Sequence, residues 1–131
     1  MSSYTLTLLP GRYILCLLPA NAPIPPWATG GDFCSITRTD DELSIFCTEA
    51  ALPPTLPENI SIARDWALLR VEGPFAFDVT GVVAALSAPL AAAGVVLLTV
   101  ATYQTDYLLV KTQQLESAIS AVTSAGHQLR T

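Results

Sequence analysis

The uncharged stretch from Val79 to Thr105 constrains the fold of this chain more than any other segment. From Val82 to Ala101 it is almost continuously apolar, which is long enough for a helix that spans a bilayer. Pro89 and Gly94 divide it, however, and neither end carries the Lys or Arg that membrane topology prefers. The part before Gly94 is rich in alanine, whereas the part after it is β-branched. We therefore predict a helix followed by a strand, with a membrane span as the alternative.

The segments around this stretch predict a β-α-β-β-α-β order for the second half, a split βαβ layout. Gly94 and Gly126 end the two helices, and Pro89 is expected to kink the first helix or to end its regular part. The predicted elements are a strand over Trp66–Glu72, a helix from about Gly81 with Val82, Leu86, Leu90 and Ala93 on its apolar face and Asp78 or Thr80 as its cap, strands over Val95–Thr102 and Asp106–Lys111, a helix with Leu115, Ala118, Ile119 and Val122 on one face, and a short terminal strand.

The first half alternates strand-like runs with two proline-rich connections. A turn at Pro10 and Gly11 is expected to pair the first two strands, and Trp27 to pack on the core. The predicted elements are strands over Tyr4–Leu9, Tyr13–Leu18, Phe33–Thr39 and Leu43–Cys47, with connections over Pro19–Gly31 and Ala50–Asn59. A faint repeat of pattern between the halves predicts two related domains, residues 1–60 and 61–131, in which proline-rich connections replace the helices of the first.

Composition disfavours several classes of function. The net charge is −5 and the six basic residues are scattered, whereas nucleic acids and anionic membranes attract clustered Lys and Arg. The apolar run after Arg12 is too short for the h-region of a signal peptide and fits a strand better. The sequence therefore predicts a cytoplasmic protein that binds neither nucleic acid nor membrane.

No residue pattern predicts catalysis, a metal or a cofactor. The chain has one histidine, His127, after the last helix, and it lacks a G-x-S-x-G elbow, a phosphate loop and a histidine–carboxylate metal pattern. Cys16, Cys34 and Cys47 lack the close spacing of zinc and redox motifs, and each lies in an apolar run. We interpret them as reduced thiols of the core.

Three segments resemble small bacterial and fungal ACT-domain proteins, and the resemblance covers nearly the whole chain. Arg38–Cys47 resembles their RT-x-DELSIVC segment, Phe77–Val83 their FDLTGIL segment and Thr102–Lys111 their STYDTDYILVK segment. The serine expected before Thr102 is Ala101 here. The resemblance implies an α+β fold of tandem ACT units of the ferredoxin-like βαββαβ type, the first half degenerate and the second complete.

The same segments are similar to the ACT repeats of the animal arginine sensor of the TORC1 pathway. In those repeats a glycine-containing βα loop and an Asp-bearing turn line the ligand pocket. The resemblance therefore implies that the chain binds an amino acid, and it directs attention to Gly81 and Asp106.

The chemistry of these residues suits a zwitterion. Gly81 opens a helix whose first N–H groups attract a carboxylate, while Asp106, and Asp78 likewise, can accept an ammonium or guanidinium group. Each residue also has a structural explanation, since Asp78 and Thr80 can cap the helix and Asp106 can stabilise a turn. For Ser44 and its neighbour Glu42 a solvated turn is the favoured explanation. The candidate ligand-binding residues are Asp78, Thr80, Gly81, Thr102, Tyr103, Thr105 and Asp106, with Ser44 from the first half.

Two functions of different classes follow. The first is a domain that binds or senses a small molecule, a free amino acid and a basic or polar one above all, without catalysis or cofactor. The second is a ligand-free structural or dimerisation domain that acts through protein contacts. In either case we expect a homodimer, since sheet edges and apolar helix faces pair readily, and a regulatory protein partner is compatible with both.

Overall fold

The computed structural model describes residues 3–76 and 79–131. The strands and helices of these residues are β1 (Thr5–Leu8), β2 (Tyr13–Leu18), β3 (Cys34–Arg38), β4 (Leu43–Thr48), β5 (Ser61–Val71), α1 (Val82–Ala92), β6 (Leu97–Ala101), β7 (Asp106–Lys111), α2 (Leu115–Ser124) and β8 (Gln128–Arg130). Short 3₁₀ turns lie at Pro26–Thr29, Glu49–Ala51 and Thr112–Gln114. The chain divides into a central unit, Gly11–Trp66, and a terminal unit formed by the residues up to Pro10 and from Ala67 on. Strand β5 contributes its first part to the central unit and its second part to the terminal unit.

The terminal unit is an α+β unit with the predicted β-α-β-β-α-β order, from β5 to β8. Its strands lie in the order β6-β7-β5-β1-β8. Leu6 of β1 lies opposite Val71 of antiparallel β5 and opposite Leu129 of parallel β8. The core of this unit joins the strands to one face of each helix; its helical members are Val82, Leu86, Leu90, Ala118 and Val122. The fold class predicted from the sequence is confirmed.

A glycine lies just outside each end of helix α1. Gly81 is its N-cap residue with φ +83°, so the prediction that Thr80 caps the helix is wrong, while Asp78 lies outside the described residues. At the other end Gly94 has φ +73°, and the Val95 N–H donates to the Leu90 carbonyl at 3.0 Å, a Schellman arrangement.

The buried apolar face of α1 is shorter than the face predicted from the sequence pattern. Val82, Leu86 and Leu90 are buried as predicted, but Ala93 is exposed because it lies beyond the last helical turn. The helix continues through Pro89 to Ala92, so Pro89 does not end it.

The predicted pairing of β1 with β2 is wrong. Both strands form, but β1 pairs with Leu69–Val71 of β5, whereas β2 pairs with the Ser61–Trp66 part of the same strand. Long β5 thus offers a partner to each, and β1 belongs to the terminal unit although it precedes the boundary predicted at residue 60.

The central unit orders its strands β3-β4-β2-β5, and every one of its residues is described. Its core consists mainly of alternate residues of β2 and β4, such as Ile14 and Ile45. The proline-rich connections cover this core, because Ala28 is fully buried and Trp27 and Leu52 pack against it half-buried. The prediction for Trp27 is confirmed.

The three thiols differ in exposure. Cys16 and Cys47 are fully buried, as predicted for core cysteines, and all three thiols are free. Cys34 is exposed, so the prediction is wrong there. The reason is that β3 is an edge strand that pairs with β4 alone.

The uncharged stretch forms a helix and a strand, as predicted. With 11 residues α1 extends about 16 Å, roughly half the hydrocarbon thickness of a bilayer. Neither helix of the described residues has the length and hydropathy needed to cross a membrane.

Candidate functional site

A cleft of about 340 Å³ opens in the terminal unit, between the β5–α1 connection, the start of α1 and the β6–β7 turn. Pockets that hold small ligands have volumes of this order. The described residues that line it are Phe75, Ala76, Val79, Gly81, Val82, Val83, Ala84, Thr102, Tyr103, Gln104, Thr105 and Asp106.

The β6–β7 turn is held by its two threonines. The Thr102 N–H and hydroxyl donate to the Thr105 carbonyl at 2.8 and 2.9 Å, and the Thr105 N–H donates back to the Thr102 hydroxyl at 3.3 Å. The Thr105 hydroxyl donates to the Val71 carbonyl on β5. Both hydroxyls therefore serve the turn, which fixes one wall of the cleft.

The β5–α1 connection lies close against this turn. The Phe75 N–H donates to the Gln104 carbonyl at 2.9 Å. A Cβ at Gly73 would lie 2.9 Å from the same carbonyl oxygen, closer than side chains tolerate, so a glycine is required there. The sequence analysis missed Gly73 and Phe75 as parts of the site, although a Gly-Pro break directly after a strand is the signal that could have found them.

The floor of the cleft is the N-terminus of α1. The Ala85 N–H donates to the Gly81 carbonyl at 2.9 Å and so makes the first turn of the helix. The N–H groups of Val82, Val83 and Ala84 precede that bond and have no acceptor within the helix. They carry partial positive charge toward the cleft. The space beside Gly81 is open, since among the described residues, its two chain neighbours aside, no heavy atom lies within 4 Å of the position a Cβ would take.

Asp106 supplies the charge of the opposite sign. Among the described lining residues it is the single carboxylate, and no Lys or Arg lines the cleft there. Its side chain is half-buried at the start of β7, opposite Ala101. In the part of the chain that the structure describes, no ion pair joins it to a cation. One carboxylate and one helix N-terminus thus share a single cleft.

The rim of the cleft is apolar. Tyr103 is 79% exposed, Val79 46% and Val83 38%, and these are three of the six exposed large hydrophobic residues that the structure describes. An apolar surface gathered around a polar pair is typical of a ligand site.

Comparison with known proteins assigns this fold to a family. The crystal structure of an Agrobacterium tumefaciens protein is 40% identical, covers 98% of this chain and 93% of its own, and has a TM-score of 0.88. The family model of the ACT domain matches residues 61–124. The chain belongs to the ACT-domain family. A second model, of an N-terminal domain, matches residues 11–55.

Two further relatives connect the ACT fold of this chain with proteins of described role. Subunit 1 of the cytosolic arginine sensor for mTORC1 of Bos taurus is 34% identical over 96 aligned positions, and the match covers 66% of this chain and 29% of that protein. This chain thus spans less than a third of that relative. The ligand-free regulatory subunit of aspartate kinase from Thermus thermophilus is 16% identical, covers 92% of this chain and 97% of its own with a TM-score of 0.64, and shows the same fold. ACT domains are regulatory domains that bind small molecules, often amino acids.

The ACT domain brings five of the residues singled out in the sequence to one cleft. They are Gly81, Thr102, Tyr103, Thr105 and Asp106. Thr80 precedes the helix and is exposed, without lining the cleft. Asp78 lies outside the described residues. Ser44 belongs to the central unit, where it lies on β4 opposite Leu17 and Thr37, and its role stays a prediction.

His127 has a structural role in the ACT domain that the sequence analysis did not find. Its side chain is buried, its Nδ1 accepts the Tyr4 N–H at 3.1 Å, and its Nε2 therefore carries the proton and donates to the Ala85 carbonyl at 3.3 Å. Pro89 leaves that carbonyl without its usual helical donor because proline has no N–H. The proline in α1 was thus the signal for a side chain that replaces the missing bond. Both ring nitrogens are thus engaged in hydrogen bonds.

Proposed function

We propose that this ACT domain binds a free amino acid in the cleft and acts as a regulatory module without catalysing a reaction. The α-carboxylate lies at the N-terminus of α1 and accepts from the N–H groups of Val82 to Ala84. The α-ammonium group pairs with Asp106. What carries the proposal is that one cleft holds a partial positive pole and one carboxylate, the complement of a zwitterion.

The ligand's side chain packs along the apolar rim of Tyr103, Val79 and Val83. This rim suits the methylene stem of a basic or polar amino acid, whose head group reaches solvent. Since no Lys or Arg lies among the described lining residues, nothing there repels a second positive charge. The rim and the charge together favour a basic or polar amino acid over a large aromatic one.

The relatives support the wider setting. One is, by its name, a cytosolic arginine sensor subunit and another is a regulatory subunit. We extend to this chain a cytoplasmic location and a regulatory protein partner. A homodimer is part of the proposal because β3 and β6 each pair with a single described strand and leave an open edge. The competing function, a ligand-free dimerisation domain, needs the same edges but no occupied cleft.

A melting experiment with each of the twenty free amino acids separates these two functions. At a concentration about 100 times Kd, a ligand stabilises the folded state by about 2.7 kcal/mol, which raises the melting temperature by several degrees. Stabilisation by at least one basic or polar amino acid is expected. If all twenty at millimolar concentration leave the melting curve unchanged, the dimerisation function replaces this proposal.

The variant Asp106→Asn tests the site. It removes a charge-assisted hydrogen bond worth about 1.5–3 kcal/mol, so affinity measured by calorimetry should fall about ten- to a hundredfold while the fold persists. Glu116→Gln is the control, because Glu116 is exposed on α2 and does not line the cleft. Equal affinity of wild type and Asp106→Asn would remove this residue from the site.

The helix N-terminus has a matched pair of glycine variants. Gly81 and Gly94 both have positive φ, +83° and +73°, and both have open space where a Cβ would lie. Alanine therefore strains the backbone to a similar degree at either end of α1. Gly81→Ala should weaken ligand binding beyond its effect on stability, whereas Gly94→Ala should affect stability alone.

A further inference from the structure

The three thiols of the central unit lie on one face of its sheet. Cys34 of β3 lies directly opposite Cys47 of β4, and residues opposite each other in a sheet share a face. Cys16 of β2 lies opposite Ile45, two positions along β4 from Cys47, and so shares that face. Cys47 is thus the middle member, between an exposed thiol and a buried one.

The register of the hairpin brings the first two thiols close. Thr39 donates its N–H to the Glu42 carbonyl opposite at 2.9 Å, so every second pair from there is a hydrogen-bonded pair. Cys34 lies an odd number of positions before Thr39 along β3, so its pair with Cys47 is a non-hydrogen-bonded pair. In such a pair the Cα atoms are about 4.5 Å apart. That separation lies within the range of disulfides.

The third thiol is placed differently. Cys16 is diagonal to Cys47, and diagonal neighbours are about 7–8 Å apart, which is too far for a disulfide without backbone movement. A hydrogen bond between the two thiols lowers the pKa of Cys16 and raises that of Cys47, which burial raises further. Since Cys34 alone is exposed, it is the thiol that meets an oxidant first.

We propose that Cys34 and Cys47 are a reversible oxidation site, in which a hydroperoxide converts the two thiols into a cross-strand disulfide. In the first step the Cys34 sulfur attacks the peroxide, gives sulfenic acid and releases the alcohol or water. In the second step Cys47 attacks the Cys34 sulfur; its thiol proton and the sulfenic hydroxyl leave as water, and the S–S bond forms. A thiol reductant supplies the two electrons and two protons that restore the pair.

The new bond ties the open end of the β3–β4 hairpin, opposite its turn. It closes a short loop and restricts the unfolded chain, so the oxidised protein should melt several degrees higher. Among the described residues no group of three or more His, Cys, Asp or Glu side chains fits a metal ion. The site depends on the central unit alone and does not rest on the proposed amino-acid binding.

The test is thiol counting on the full chain before and after treatment with hydrogen peroxide. We expect two thiols to be lost, a mass lower by two hydrogen atoms, a peptide map that links Cys34 to Cys47, and full recovery with dithiothreitol. Cys34→Ser should abolish the loss, and because Cys34 is exposed this variant should fold normally. Cys16→Ser is the matched control and should give the same link.

Three results would overturn the proposal. The first is overoxidation of Cys34 to sulfinic acid without a link to Cys47. The second is a Cys16–Cys47 link, and the third is a covalent dimer through Cys34 on a non-reducing gel. Peroxide treatment of Cys34→Ser that still consumes two thiols would have the same consequence.

Discussion

The two units cover one face of a sheet with different kinds of structure, helices in one and proline-rich connections in the other. The terminal unit uses α1 and α2, whose buried side chains join the core. The central unit, described in full, has no α-helix and uses proline-rich connections, from which Ala28 is fully buried and Trp27 packs half-buried. Covering a core therefore requires apolar side chains at the right positions rather than a particular secondary structure.

The two covers differ in what they leave for a ligand. A helix places several N–H groups without partners at its N-terminus, and in the terminal unit that end opens into the cleft. Prolines have no N–H, so a proline-rich cover presents few donors. On this comparison the proposed ligand site belongs to the terminal unit, whereas the central unit holds the proposed pair of thiols.

The largest expected effect on the free energy of unfolding comes from a change in α1, one of the helices that cover the terminal core. Leu86 is fully buried in the terminal core, and Leu86→Ala should lower the free energy of unfolding by about 2–5 kcal/mol because it leaves a cavity under α1. Urea denaturation measures the loss. Val83→Ala on the same helix, 38% exposed, should cost under about 1 kcal/mol. Equal losses would mean that α1 does not cover the core as described.

For the proline-rich connection that covers the central core we predict a smaller loss in the free energy of unfolding. Trp27→Ala should cost about 2 kcal/mol, because the indole packs against the central core but stays half-buried. Ile24→Ala in the same connection is the control, since Ile24 is 44% exposed. The same denaturation experiment decides, and a Trp27→Ala loss no greater than that of Ile24→Ala would show that this connection is not a cover.

The hydrogen bond between His127 and the Ala85 carbonyl tests the helical cover of the terminal unit, since it replaces the bond that Pro89 cannot donate within α1. His127→Phe keeps an aromatic ring next to Tyr4 but removes both hydrogen bonds, and should cost about 1–2 kcal/mol. In a Pro89→Ala background the alanine N–H can donate to the Ala85 carbonyl, so the same change should cost less. A double-mutant cycle measures the difference, and strictly additive effects would contradict the repair.

The smallest expected effect is on the stability of the terminal unit at acidic pH. Hydrogen bonds from Thr7 and then Arg70 lower the pKa of Glu72 in the folded terminal unit. A lowered pKa adds stability that is present above the ordinary carboxylate pKa and is lost as pH falls through the folded value. Glu72→Gln should therefore flatten the acid side of the stability profile slightly. Glu58→Gln, an exposed carboxylate of the central unit, controls for the loss of one charge.

Much of the terminal unit could be predicted because its signals are local. Helical spacing, β-branched runs and the glycines that end both helices are visible within a few residues of one another. The cleft could be predicted in part for the same reason, since Gly81 and Asp106 each begin an element. The Gly-Pro break and the proline in α1 mark the places where Gly73 and His127 act, but they do not identify the partners, because those contacts are with residues far along the chain.

Strand partners were harder to predict than strands. Pro10 and Gly11 indicate a turn, yet the strands beside it pair with different parts of β5. Strand β5 begins five positions before its predicted start, and Asp65 within it has φ +69° where its register with β2 shifts. Such an irregularity breaks the alternation of side chains on which sequence prediction of strands depends.

The position of β1 sets an order of assembly during synthesis. The central unit has all its strand partners once the ribosome has delivered residues 13–66. Strand β1 is made before both of its partners, and its second partner, β8, is Gln128–Arg130, so one edge of β1 stays unpaired until those residues are made. During that interval β1, which carries the apolar side chains of Leu6 and Leu8, has an unpaired edge that can pair with other chains. A nascent chain of this protein is therefore expected to depend on chaperones at β1 until β8 has been made.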